Sequence, residues 1–505
     1  MEGVGFMSMF KKFFKSLTSS EIEMDIEPTT HLEMDNDTHV ATLQHTLHEL
    51  ADCADLTHRR FPEIQTDIVY FGHLVSKNEL RNDVIQPLLN IQLDELQNLL
   101  SWSQFVETQN TKDVILGILN GSVAVFTPNG TYVVAAYGPA TRNVEESQTE
   151  AVITGPHEAF VESYGTNLAL IRRRIRSSHL KVMKFEVGEI TKTSVYLLYI
   201  KDIVNMAYVE EVVSRIQDIE IDSIQDTNML VQFIDECPYS IFPQFLTSER
   251  PDVIASKLVS GRVIGIVEGS PTAFSAPTAF FEFFSSPDDY YQRWLLGTAL
   301  RLLRFTAFVI TVGFTALYVS VTTFHYEMIP ETLLRTLVES RGRVPFPPIF
   351  EALLMEVTIE LLREAGARLP TKVGQTIGIV GGIVIGQAAV QAGLTSNILI
   401  ISVASSAIAS FVIPSYIMSA SIRLIRFGLI IMAGLLGNFG IIFGIGLVVI
   451  HMCGITNLGT SYVTPIAPMN LGDWRDVFIR APFRAIKLRP SQTKTPNDTK
   501  QKMRR

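Results

Sequence analysis

The hydrophobic pattern divides the chain in two. From Phe305 to Phe324, FTAFVITVGFTALYVSVTTF runs without a charge, close to the ~20 apolar residues that one membrane crossing requires. Val373 to Ile422 carries no charge, and Phe427 to Gly472 carries none apart from the titratable His451. The first of these long runs must turn once, and the polar Leu394–Asn397 (LTSN) is the place for it. The pattern therefore predicts an α-helical polytopic membrane domain over 295–472, with about four spans at 305–324, 375–393, 398–418 and 427–451. So many charge-poor runs cannot be covered by the polar surface available to a soluble fold, and membrane lipid is their expected surrounding.

An unusual segment separates the first two spans. Pro345, Pro347 and Pro348 end one helix and start another within 345–370. On a helix over 349–365, Phe350, Leu353, Leu354, Val357 and Leu361 share one face. Glu356, Glu360 and Glu364 form a narrow acidic stripe beside it, with Ile359 and Leu362 making most of the remainder apolar. Such a helix suits an interfacial, re-entrant or pore-side position and need not span. The carboxylates should face water or a partner charge such as Arg341, Arg363 or Arg368.

Upstream the period changes. The pattern is helical from Ala41 to Phe105, including NELRNDVIQPLLNIQL (78–93), interrupted by Pro87. ILGILNGSVAVFTPNGTYVVAAYG (115–138) reads as strand, tight turn and strand; VYLLYI (195–200) and GRVIGIVEG (261–269) are further strands. Helices are expected over 157–175 and 204–219. This predicts an α/β or α+β soluble N-terminal region over 41–290, with two subdomains and a compact βα unit over Val187–Asp235.

The first 40 residues are read as a disordered or basic-amphipathic tail. MFKKFFKSL (9–17) places apolar residues at i, i+3, i+4 and i+7 and admits a short interfacial helix, but it reads more simply as a frayed basic tail. It lacks the continuous apolar core of a secretory signal. Basic residues then set the expected orientation. Arg301 and Arg304 flank the first span; Arg475, Arg480, Arg484, Lys487 and Arg489 follow the last, in a basic tail over 473–505. Both ends are expected to be cytoplasmic, so the crossings are even in number and Arg423 and Arg426 fall outside.

Composition excludes more than it assigns. The formal net charge is −9, and Cys53, Cys237 and Cys453 make no Cys-x-x-Cys pair. Six of the ten histidines lie between His31 and His73, but His45, His48, Cys53 and His58 match no zinc spacing. The run Arg172, Arg173, Arg174 and Arg176 could bind an anion and is more simply a solvated face. No phosphate loop, dinucleotide fingerprint or serine elbow is present. The reading is of a protein that is not an enzyme, with no cofactor, no metal and no nucleic-acid partner.

Within the apolar half, Gly374, Gly378, Gly382 and Gly386 recur at i, i+4 as a helix-packing stripe. Gln375 and Gln387 are polar at membrane depth. With Glu356, Glu360 and Glu364 they are the candidate pore, gate or coupling residues.

The ordered stretches LNGSVAVF (119–126), GPHEAFVESYGTNLALIRRRI (155–175), FPQFLTSERPDVIASKLVSGRV (242–263), DDYYQRW (288–294), FHYEMIP (324–330), VPFPPIFEALLMEVTIELLREAGARLP (344–370), GQTIGIVGGIVIGQAAVQAG (374–393), IRLIRF (422–427) and LGDWRDVFIRAP (471–482) resemble the GerA family of spore germinant receptor A subunits. That resemblance implies a multi-pass protein of the spore inner membrane. It further implies assembly with a permease-like B subunit and a lipoprotein C subunit, a homo-oligomer, nutrient sensing and an ion channel. The alternative is a non-conducting scaffold that passes a conformational signal. Ser461 and Ala316 stand where the family pattern usually has proline.

Overall fold

The computed structural model describes residues 41–139, 147, 150, 153–369, 381–382 and 384–501. Its soluble half is built twice over from one plan. The first unit opens with helix α1 (Leu43–Glu49), whose N-cap Thr42 accepts the amide of His45. A hairpin of β1 (Leu56–Phe61) and β2 (Thr66–Phe71) follows. A helical run over Lys77–Leu89 comes next; it widens into a π-turn at Leu80–Ile85, ahead of Pro87, which has no amide hydrogen to give. Then come the short β3 (Phe105–Glu107), helix α2 (Thr111–Leu119) and a second hairpin, β4 (Ser122–Thr127) with β5 (Gly130–Ala135). The sheet order is β1-β2-β4-β5-β3, all antiparallel.

The second unit repeats this order. Helix α3 (Tyr164–Arg174) precedes the hairpin β6 (Leu180–Val187) and β7 (Thr193–Ile200). Helices α4 (Met206–Gln217) and α5 (Thr227–Ile234), short β8 (Leu246–Ser248), helix α6 (Pro251–Val259) and the hairpin β9 (Val263–Val267) with β10 (Ala273–Ala276) complete it. Its sheet order is β6-β7-β9-β10-β8. The registers coincide: Asp67 opposite Phe126 corresponds to Tyr196 opposite Ile266, and Val106 opposite Val133 to Leu246 opposite Ser275. Gly121 (φ 86°) and Gly261 (φ 89°) occupy the same turn after α2 and α6. A Cβ there would meet the carbonyl oxygens of Leu74 and Ile203 respectively, so each turn requires glycine for conformation and for space. Each sheet lies between two helix layers: α1 and α2, or α3 and α6, cover one face, and the helices after the first hairpin cover the other.

The α/β expectation therefore holds, with two local corrections. ILGIL (115–119) is the end of a helix, because its apolar residues face one side of the sheet at helical rather than alternating spacing. The supposedly helical stretch 41–105 contains β1 and β2, whose run TDIVYF is buried on both faces and so lacks alternation.

The second half is a helical bundle. Helix α7 (Trp294–Thr323) leaves the soluble units, and α8 (Glu331–Arg341) lies beyond its far end. Helix α9 (Pro348–Arg368) runs back beside α7: Ile349 lies at Gly434, Glu356 at Thr315 and Arg363 at Ser410. Helix α10 (381–391) goes out again, from Leu362 beside Gly381 to Arg343 beside Gly393, and α11 (Asn397–Phe411) returns. The segment 349–365 is thus a full member of the bundle.

The span predicted at 427–451 is corrected. Helix α12 (Tyr416–Gly454) is broken at Gly437 (φ 62°, ψ −139°), and its arms fold back on each other, with Gly444 against Leu429. The turn is wedged against Phe324 and His325, where any side chain would collide. A continuously apolar sequence conceals such a reversal. Helices α7 and α12 are long and apolar enough to cross a membrane, and side chains such as Phe439, Ile442, Ile450 and Ile408 point outward from the bundle. The expected four spans are therefore not reproduced: among the described residues two helices meet the length and apolarity of a crossing, and α9, α10 and α11 pack beside them.

After α12 the chain returns to the soluble half. The hairpin β11 (Thr456–Asn457) with β12 (Thr460–Ser461) leads to Tyr462, whose hydroxyl donates to the Pro243 carbonyl at 2.6 Å. Arg489 donates to the carbonyls of Val259 (2.9 Å) and Thr499 (2.7 Å), and Tyr208 donates to that of Gln492 (3.0 Å). The expected basic tail is clasped onto the second unit through residue 499, and Arg480 and Arg489 are buried.

Candidate functional site

Buried ionic groups gather at three levels. The first is the seam between the two soluble units. Arg172 of α3 is buried and grips Asp55 through Nε (2.5 Å) and Nη2 (2.7 Å), with its guanidinium 3.9 Å from the centre of the Phe71 ring. The expected solvated face is corrected at this residue: Arg172 points inward, while Arg173 and Arg174 pair with the half-exposed Glu158. His73 Nε2 lies 3.3 Å from Asp55. Burial lowers the His73 imidazole to about 4, with Asp55 pulling it up and Arg172 pushing it down.

The second level joins the soluble half to the bundle. Asp289, fully buried, accepts from Arg301 at 3.1 Å and from Arg304 at 2.7 Å. Tyr290 donates to Asp476 at 2.8 Å. The two arginines that flank the first predicted span are internal, held by a carboxylate that precedes them in sequence. Nearby, Glu282 bonds both Lys257 and Arg262. Burial alone would raise Glu282, but Arg262 and Lys257 hold it down to about 2; burial lowers Lys257 despite its partner.

The third level lies inside the bundle. Glu356, fully buried on α9, accepts from Thr315 of α7 at 2.9 Å and lies 2.7 Å from Arg426 of α12. Thr315 also meets Ser406 of α11 at 3.1 Å. Glu360 is shared by Arg423 (3.2 Å), Arg426 (3.3 Å) and Arg363 (3.4 Å), and Arg363 reaches Ser410 at 2.8 Å. Four helices thus meet at one polar cluster in which three guanidinium groups face two carboxylates. Among the described residues, Nε and Nη1 of Arg426, Nε of Arg363 and Oε2 of Glu356 find no protein hydrogen-bond partner. The 2.7 Å contact between Arg426 and Glu356 is a close ion pair whose angle misses a hydrogen bond. Toward the far end, Glu351 pairs with Arg341 at 3.3 Å and accepts the amide of Ser396 at 3.2 Å.

The predicted acidic stripe is split by this arrangement. Glu356 and Glu360 enter the cluster, whereas Glu364 is exposed and pairs with Arg368 at 2.6 Å. Gln387 is exposed on α10, away from the cluster. A Cβ at Gly382 or Gly386 would meet nothing within 4 Å. Gly374, Gly378 and Gln375 lie outside the described residues. Arg423 and Arg426, which charge counting sets on the far side of the membrane, lie against Glu356 and Glu360 within the bundle. The signal that could have found them was their position: they are the only formal charges between Val373 and Gly472, so a buried carboxylate partner was required. Among the described residues no group of three His, Cys, Asp or Glu could hold a metal ion.

Comparison with known proteins gives a consistent picture. A family model described as Bacillus/Clostridium GerA spore germination protein matches residues 42–492. Spore germination protein GerQA of Bacillus cereus is 42% identical over 429 residues, 84% of this chain and 86% of that one. Spore germination protein A1 of Bacillus subtilis (strain 168) is 40% identical over 439 residues, 86% of this chain and 90% of that one. Among solved structures, the N-terminal domain of the A subunit of the Bacillus megaterium spore germinant receptor GerK3 is 27% identical, with a TM-score of 0.37, covering 47% of this chain and 94% of that one.

Proposed function

The chain belongs to the GerA spore germination protein family, and from that premise we propose that it is a multi-pass membrane subunit of a nutrient-sensing germination receptor that gates an ion path. Its place is the spore inner membrane, with the soluble half cytoplasmic. Its partners are a permease-like B subunit, a lipoprotein C subunit and further copies of itself. It is not an enzyme.

The observation that carries this reading is the shared ionic cluster of Glu356, Glu360, Arg363, Arg423 and Arg426. Charges removed from water cost several kcal/mol each unless fully partnered. A cluster shared by α7, α9, α11 and α12, in which three arginines divide two carboxylates, offers more than one way to pair. That is what a gating element needs. The same cluster argues against Glu356 and Glu360 as a bare cation-selective ring, because arginine outnumbers carboxylate there. It therefore favours a coupling role for the acidic residues, with the path itself elsewhere. A non-conducting, signal-passing scaffold would use the same cluster.

Receptor reconstituted in liposomes separates these. Nutrient-triggered cation release that is altered by Glu360→Gln, at normal subunit abundance, supports gating. Assembled receptor with no flux supports the scaffold. Unchanged flux from both Glu356→Gln and Glu360→Gln removes the cluster from the mechanism. Cysteine labelling at Ser163→Cys and Ser214→Cys tests the cytoplasmic placement, which fails if an impermeant reagent reaches either site in intact cells.

A further inference from the structure

The internal repeat makes a comparison available within one molecule. In the second unit, the edge beside β8 and β10 is roofed. The Leu246 amide donates to Thr278 at 3.3 Å, and Arg262 bonds the Pro277 carbonyl and Glu282. Phe280, Phe283 and Phe284 are buried over this side, with the Phe280 amide donating to Tyr462 at 2.8 Å. An aromatic segment, Phe280-Phe281-Glu282-Phe283-Phe284, is therefore what this edge receives, and a carboxylate answers its basic residues.

At the corresponding edge of the first unit, Gln104, Val106, Thr108, Asp113, Ser122 and Val133 line an open groove of about 380 Å³. The registers given above equate Val106 with Leu246 and Val133 with Ser275. Ser122 follows Gly121 as Arg262 follows Gly261. Here Val106 is 59% exposed and the neighbouring Trp102 53%. The charge differs as well: the basic Arg262 has given way to Ser122, and the groove carries the acidic Asp113.

We propose that this groove receives residues 9–17 of the same chain, MFKKFFKSL. Two observations choose this occupant. The segment repeats the aromatic pairing of 280–284 with opposite charge, carrying Phe10, Phe13 and Phe14 among Lys11, Lys12 and Lys15. The chain also enters the described structure at the groove's rim: Ala41 donates to the Gln109 carbonyl at 3.1 Å and accepts from Thr131 at 2.8 Å. Residues 18–40 give ample reach, at up to ~3.3 Å per residue, and closing a loop of that length adds little entropic cost beyond a shorter one. The docked segment would bury Val106, and its lysines would meet Asp113. This docking is independent of how ions pass through the bundle.

Hydrogen exchange on the full-length chain in detergent tests it. The amides of Val106, Glu107 and Thr108 should exchange about tenfold more slowly in the intact chain than in one lacking residues 1–20, while amides of β2 and β4 stay unchanged in both. Lys11→Glu, Lys12→Glu and Lys15→Glu together should lose the same protection. Equal exchange at the edge in the intact and shortened chains overturns the proposal. So does protection restored to the shortened chain by mixing it with intact copies, which would make a second copy the source. Protection seen only in anionic nanodiscs also overturns it, because lipid would then be the partner.

Discussion

The seam between the soluble units and the centre of the bundle each bury an arginine against a carboxylate, but they complete the pairing to different degrees. At the seam, Asp55 takes two bonds from Arg172, whose guanidinium also lies over Phe71. In the bundle, Arg426 divides itself between Glu356 and Glu360, and two of its nitrogens find no partner among the described residues, against one of Arg172. A bidentate pair has one geometry; a divided one has several. The first fixes two bodies together, and the second leaves four helices a choice.

The largest effect that would break this contrast is at the seam. Asp55→Ala leaves Arg172 buried without its partner, and a loss of about 3–5 kcal/mol is expected, read from the denaturation midpoint of the purified chain. A loss below about 1 kcal/mol would mean that the seam is no tighter than an exposed pair. A pH titration sharpens the same point. The His73 imidazole is lowered to about 4, so its contribution is present above the ordinary value near 6.5 and fades as the pH falls toward 4. About 2–3 kcal/mol should be lost over that window. In His73→Gln the melting temperature should fall less between pH 7 and pH 4.5 than in the unaltered chain. The smallest effect is at Glu364, whose partner Arg368 is exposed. Glu364→Gln should change stability by less than about 0.5 kcal/mol and leave ion release untouched. A large effect there would restore the acidic row as one functional unit.

The sequence was legible where a run of apolar residues has a clear length or period. α4 was visible because its apolar residues keep helical spacing, and β7 and β9 because each is a short continuous apolar run bounded by turn residues. The apolar half was visible for its lack of charge, but its turns were not. Gly437 sits among other glycines and apolar residues, and only the collision its Cβ would make with His325 and Phe324 marks it as a turn. The acidic stripe of α9 was recognised, but the partners of Glu356 were not. Arg426 lies 70 positions on, by 426 − 356, and counting basic residues treats every arginine as a surface charge. Glu351, buried against Arg341, was overlooked because it falls off the i, i+4 row. The duplication was hidden because the two copies match by register and by turn glycines far more than by residue identity.

The bundle is, in sequence, an insertion into the soluble fold. It departs after β10 through Phe280–Phe284 and comes back through Tyr462 to the same second unit, where Asp289, Arg301 and Asp476 close the joint. Both arms of α12 touch the same base: Ser421 donates to the Ile241 carbonyl at 2.6 Å, and Ser240 meets His451 at 3.0 Å. A body gripped at several points around its base tilts with that base, and a tilt displaces most the end farthest from it, where Gly437 rests against His325.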